Sequence, residues 1–260
     1  LGEIAGKLLG QPFLVETRPG AQGTIASRAV AKTKPDGYTL LLGTNSTHAA
    51  SPYLFKELGY DPLKDFTPII RFTVNPLMLV VNAEMPVHSV ADFIKYGKER
   101  TGKMSYGVGN TGSLVASQML INQAGFTAVA INYPGNAQAV SDFVTGRLDF
   151  MVTDPMIVKT HVQAGKLRIL GLTSKQRLPT FREVVPMAEL GLPNFEYASW
   201  IGLFGPAGLP PEMVRRLHDA FAKALADPES VKFLADIGMI AAPANPAEFG
   251  VYVQDQIKLW

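Results

Sequence analysis

Between Leu77 and Leu172 short apolar runs alternate with helical patterns, and this alternation restricts the chain to few architectures. Residues 77–81 read as a fully apolar strand. Ser89 reads as the N-cap of a helix reaching about residue 98, with Val90, Phe93 and Ile94 on one face. The pattern restarts at Thr101-Gly102-Lys103. Strands are expected at 104–108, 129–132, 148–152 and 167–172, and helices at 113–124, 136–145 and 155–164. Such alternation predicts an α/β fold with βαβ units and a parallel sheet. Ahead of it, residues 11–16, 38–42 and 66–72 have strand character. Behind it comes a last strand at 199–204, and Pro210-Pro211, Pro228 and Pro246 open three closing helices. Two blocks with trailing helices suggest two α/β lobes.

The stretch from Arg18 to His48 carries the clearest binding signal. Gly20 and Gly23 can adopt backbone conformations closed to other residues, so amide groups of Gly20, Ala21, Gln22, Gly23 and Thr24 can turn toward an anion. A short helix follows, with Ile25, Ala29 and Val30 at helical spacing, and its N-terminus adds a positive dipole end. The Gln22 amide either projects toward the ligand or lies in solvent. Asp36-Gly37 is a turn signal. Residues 38–42 suit a strand covered on both faces, and Thr44, Asn45, Ser46, Thr47 and His48 leave its end as a polar loop. In open α/β sheets that end is where ligands bind. Thr44 and Ser46 are the expected ligand contacts, and His48 is expected to be structural.

Composition excludes several functions. With 24 Lys and Arg against 22 Asp and Glu, and no basic block, a nucleic-acid partner is not expected. The 260 residues contain no cysteine, so neither a disulfide framework nor a thiolate metal site is available. His48, His88, His161 and His218 form no metal-spaced pair, and no nucleophile elbow or Walker loop occurs. The odd separation of Asp149 and Asp154 does not suit an acid–base pair. No catalytic residue, metal or cofactor is expected. No apolar run approaches the roughly 20 residues that span a bilayer.

The string RPGAQGT (18–24) followed by KPDGYTLLLGTNSTHA (34–49) closely resembles the Bug/TctC-like receptors, solute-binding proteins linked to tripartite tricarboxylate transport. YDPLKDFTPI (60–69), GNTGS (109–113), INYPGNAQAVSDFVTGRLDFM (131–151), HVQAGKLRILGLTS (161–174) and SWIGLFGPAGLP (199–210) extend the likeness, in order, over nearly the whole chain. The resemblance implies a two-lobed, type II-like periplasmic-binding-protein fold with a ligand cleft between the lobes. Lobe 1 would comprise residues 1–98 and 205–260, because the last helices return to it, and lobe 2 residues 99–204. It further implies a periplasmic, monomeric receptor, with no enzymatic activity, that passes a small carboxylate, a dicarboxylate or an aromatic acid, to membrane transporter subunits. Relatives begin with an export signal, a strand and a Pro/Gly-rich turn, and this chain is expected to start after all three. The alternatives are a ligand-sensing domain of a regulator and, less favoured, an α/β enzyme.

In the second lobe the loop of Asn110, Thr111 and Ser113 sits before a helix whose N-terminus would receive a carboxylate; Ser113 binds it, caps its own helix, or does both. Gly135 and Asn136 open the next helix, and Thr153 and Asp154 the one after. The family pattern differs here at three places. Leu114 stands where relatives commonly have His, Pro134 stands in place of the Lys of their Tyr-Lys-Gly run, and Thr153 replaces the usual Asp. Loss of that carboxylate argues for a ligand without an amine, unless Asp154 turns inward to restore the charge.

Overall fold

The computed structural model describes residues 1–175 and 177–260. In chain order the elements begin α1 (Gly2–Leu9), α2 (Thr24–Ala31), β1 (Leu41–Thr44), α3 (Ser51–Leu54), β2 (Phe66–Pro76), β3 (Met78–Asn82) and α4 (Val90–Glu99). They continue β4 (Met104–Val108), α5 (Thr111–Ala124), β5 (Ala128–Asn132), α6 (Asn136–Val144), β6 (Phe150–Thr153), α7 (Pro155–Gln163) and β7 (Leu167–Leu172). The chain closes with β8 (Ala198–Pro206), α8 (Pro211–Ala226), α9 (Pro228–Asp236), β9 (Ile240–Ala244) and α10 (Pro246–Leu259). The α/β class agrees with the alternation of apolar runs.

Two compact units result: Leu1–Val74 with Trp200–Leu234 and Met239–Trp260, and Asn75–Ser199 with Ala235–Gly238. The first boundary thus falls at 74/75, not at the expected 98/99, and the second at 199/200 instead of 204/205. The reason is β3, which hydrogen-bonds to β6 and β7 and so belongs to the second sheet together with the helix that follows it.

The first unit holds a four-stranded sheet in the order β1-β8-β2-β9. β1 runs antiparallel to β8, with Leu41 opposite Phe204 and Thr44 opposite Ile201, and β2 runs antiparallel to β9. The expected parallel pattern does not hold here. Nor is β1 covered on both faces: it lies at the sheet edge, Leu42 is 55% exposed and Tyr38 is 81% exposed. Residues 11–16, expected as a strand, pair with no described strand, and Leu14 and Val15 stand exposed. On α2 the buried stripe is Thr24, Ser27 and Val30, offset from the expected Ile25. The core gathers Leu41, Tyr60, Phe66, Trp200, Phe204 and Phe249. Glycine admits these rings close to the strands: a Cβ on Gly202 would lie 2.2 Å from Phe249 Cζ, and one on Gly43 2.5 Å from Phe204 Cε2.

The second unit holds a five-stranded sheet in the order β5-β4-β6-β3-β7. β4 is parallel to both β5 and β6, as expected, whereas β3 is antiparallel to β6 and β7. Every residue of β3 is buried, which accounts for its uninterrupted apolar run. Phe93, Tyr106 and Phe150 interlock beneath α4. Ser89 caps α4 as expected, its Oγ accepting the Asp92 amide at 3.0 Å. The α5 cap is Asn110, not Ser113, because the helix begins two residues earlier than its apolar pattern.

Candidate functional site

Each unit brings expected binding loops together. In the first, the chain from Gly20 to Gly23 passes through four successive positive φ angles: 118°, 45°, 57° and 85°. Gly20 and Gly23 take these freely; Ala21 and Gln22 do so under strain, the kind of stored cost seen at binding loops. The Gly23 amide donates to Gly20 O at 2.9 Å, and the Thr24 hydroxyl donates to Ala21 O at 2.9 Å. Gln22 is exposed.

Beside this loop, residues expected as a surface loop form a buried π-helical turn, Asn45–Ala50. Hydrogen bonds of Thr44, Asn45 and Thr47 hold it in place. The Thr44 side chain accepts the Thr47 amide, while Thr47 Oγ1 accepts the Thr44 amide at 2.9 Å. Asn45 Oδ1 accepts the Trp200 amide at 2.7 Å, an anchor that strand-end spacing gave no hint of. A Cβ on Gly23 would lie 2.9 Å from Thr47 Cγ2, so loop and turn pack directly. Ser46 is half-buried, and its hydroxyl bonds to no described residue. His48 is fully buried, consistent with the structural role expected for it.

In the second unit, three helix N-termini meet the carboxyl ends of parallel strands β4, β5 and β6. Asn110 Oδ1 accepts the Ser113 amide at 2.8 Å, and Ser113 Oγ accepts the Asn110 amide at 3.3 Å. The Ser113 hydroxyl donates to Asn110 O at 2.9 Å, so its proton is used inside the loop. Tyr197 stands close by, its hydroxyl 3.0 Å from a Cβ placed on Gly112; its distance in sequence concealed it. Gly109 abuts the next loop even more tightly: a Cβ there would sit 2.1 Å from Asn136 N and 2.3 Å from Gly135 C. Gly135 caps α6 without a side chain.

Thr153 and Asp154 end β6 beside that loop. Asn136 Nδ2 donates to Asp154 Oδ2 at 3.2 Å, a contact linking two of the expected pairs. Burial, opposed by the Asn136 hydrogen bond, raises the Asp154 pKa above the usual carboxylate value. Thr153 is fully buried, and its Oγ1 has no partner among the described residues; the same holds for Asn136 Oδ1. Among the described residues no group of three His, Asp or Glu side chains is placed to hold a metal ion, and no helix is long and apolar enough to cross a membrane.

Comparison with known proteins gives the family. Residues 1–260 match the family described as "Tripartite tricarboxylate transporter family receptor". BugT of Bordetella pertussis is 31% identical over 97% of this chain and 78% of its own length. A UPF0065 protein in the gbd 5′ region of Cupriavidus necator is 32% identical over 99% of this chain and 78% of its own. Among solved structures, Rpa4515 of R. palustris with adipate aligns with a TM-score of 0.87 and 32% identity, covering 100% of this chain and 87% of that one. MatC of Rhodopseudomonas palustris with bound malate aligns with a TM-score of 0.82 and 30% identity, covering 100% and 90%. The chain belongs to the tripartite tricarboxylate transporter family of solute-binding receptors.

Proposed function

We propose that the solute of this receptor is a small carboxylate, captured outside the cytoplasm by a monomer and delivered unaltered to membrane transporter subunits. The observation that carries the reading is the contact of Gly109 with Gly135 and Asn136, which sets the N-termini of α5 and α6 side by side at the end of β4. Helix N-termini present unpaired amides and positive partial charge, the preferred surroundings of an anionic oxygen. In the first unit the strained loop of Gly20, Ala21, Gln22, Gly23 and Thr24, with Thr44 and Ser46 beside it, is proposed to hold carboxylate as well. Asn110, Thr111, Ser113, Gly135, Asn136, Thr153 and Asp154 are the proposed contacts of the second unit. The titles of two relatives support the ligand class, since one names adipate and the other malate.

Thermal unfolding of the purified chain against a panel of aliphatic and aromatic acids tests this. An acid at 100 times its Kd stabilises by about 2.7 kcal/mol, a plain rise in melting temperature. Recovery of the acid unchanged after incubation is the expected companion result. A chain stabilised by no carboxylate, or one that turns the acid over, refutes the proposal.

A further inference from the structure

We infer that the second unit requires its ligand to present a hydrogen-bond donor, a hydroxyl or ammonium group, at the N-terminus of α6, in addition to the carboxylate of the proposed function on which this inference rests. The geometry comes from one face of the sheet. A Cβ on Gly107 would meet Ala139 of α6 and the Met151 sulfur, so Met151 points toward α6. Side chains alternate along a strand, which puts Thr153 on that same face and Phe150 and Val152 on the other. Gly109 shares the face too, where a Cβ added to it would fall against Asn136.

Three oxygen-bearing side chains therefore gather at one strand end. Asn136 Oδ1 is buried without a donor, and Thr153 Oγ1 is buried without a partner, among the described residues. Asp154 accepts from Asn136 and from its own backbone amide, and burial raises its pKa with no cation among the causes. A buried acceptor left unmade destabilises the fold, and a poorly solvated carboxylate does so more strongly. A second bare carboxylate placed here would add like charge to Asp154. A hydroxyl or ammonium would instead satisfy the acceptors, and an ammonium would also neutralise the carboxylate. This reverses the expectation drawn from Thr153 alone, because Asp154 restores the missing carboxyl one residue later and directs it to Asn136.

Succinate, malate and aspartate differ only at C2, which carries hydrogen, hydroxyl or ammonium. Titration calorimetry of the whole chain with each, and with adipate, tests the inference. Malate or aspartate is expected to bind at least about tenfold more tightly than succinate. In Asp154→Asn, and independently in Asp154→Ala, that ratio is expected to fall at least about fivefold, with far-ultraviolet circular dichroism unchanged. Succinate or adipate binding as tightly as the donor-bearing acids overturns the inference while leaving the carboxylate receptor intact. So does a ratio that neither variant changes. If none of the four acids binds, the inference fails, while the receptor reading is decided by the wider panel of aliphatic and aromatic acids.

Discussion

The imidazole of His48 stacks on the ring of Phe204, with centroids 4.0 Å apart and planes 13° apart. The contact explains why this histidine is a core residue. Phe66 packs against it at 4.9 Å, and Nδ1 lies 2.9 Å from Thr47 Oγ1. With the Thr47 hydroxyl donating to Thr44 O, Nδ1 carries the imidazole proton. Nε2 is then a bare lone pair with no partner among the described residues.

A pH dependence of stability follows. Burial lowers the His48 pKa from 6.5 to about 3, because a charged ring there would be cut off from water and a proton on Nε2 would meet no acceptor among the described residues. The folded state holds this proton more weakly than the unfolded chain does. Stability from His48 is therefore complete above pH 6.5, falls as pH drops below it, and is lost by about pH 3. The whole window corresponds to about 5 kcal/mol. Urea midpoints at pH 7.5 and 4.5 should reveal the fall, and His48→Gln should flatten the part of the slope between them.

Asp154 titrates in the opposite sense. Its folded pKa is raised by burial, so the native state binds the proton more tightly than the unfolded chain, and the stabilisation seen below pH 3.8 declines as pH rises above it. Asp154→Asn keeps the size and a contact to Asn136 while removing the charge. In the absence of ligand the variant should be more stable than wild type at pH 7.5, and the two should converge toward pH 3.5. A variant less stable at neutral pH would show that the Asn136 hydrogen bond outweighs the burial of the charge.

Local signals were the legible ones. Residues 167–172 form β7 with the expected bounds, and Ser89 caps α4, because an apolar run and a capping oxygen act within a few residues. The glycines at 20 and 23 adopt the positive φ angles that their sequence setting demanded. What stayed hidden depends on partners far along the chain. The strand Ile240–Ala244 contains Pro243 and three alanines, poor strand formers, and exists because β2 offers it an edge. Residues 11–16 show the converse, an apolar run without a neighbouring strand. The burial of Asn45 depends on Trp200, 155 positions away, and the meeting of Asn136 with Asp154 on the turn of a whole βα unit.

Gln22 is a position where glycine suits the backbone better. At φ 57° and ψ 29° its Cβ is strained. Gln22→Gly should raise unfolding stability by about 1 kcal/mol, because the penalty of left-handed backbone disappears. Urea unfolding checks the sign. If ligand affinity falls at the same time, the Gln22 amide contributes to binding; if affinity holds, the amide lies in solvent.

Gly109→Ala is the most severe single change expected in the second unit. Its new methyl would fall 2.1 Å from Asn136 N and 2.3 Å from Gly135 C, and both are main-chain atoms that no rotamer change can move. The α6 N-terminus must retreat from β4, at a cost of about 1–3 kcal/mol by analogy with overpacked cores. The same retreat separates the two helix ends proposed to share the anion, so carboxylate affinity should fall at least about a hundredfold. Gly125→Ala is the control. It also adds a methyl at a positive φ, 76°, but the methyl's nearest neighbour is Lys98 Cε at 3.7 Å, far from these loops. Calorimetry on both variants separates the effects: a Gly125→Ala protein that loses some stability but keeps its affinity, beside a Gly109→Ala protein that loses both, assigns the binding defect to the displaced helix end. Equal affinities in the two variants would mean that the meeting of α5 and α6 is not where the carboxylate is held.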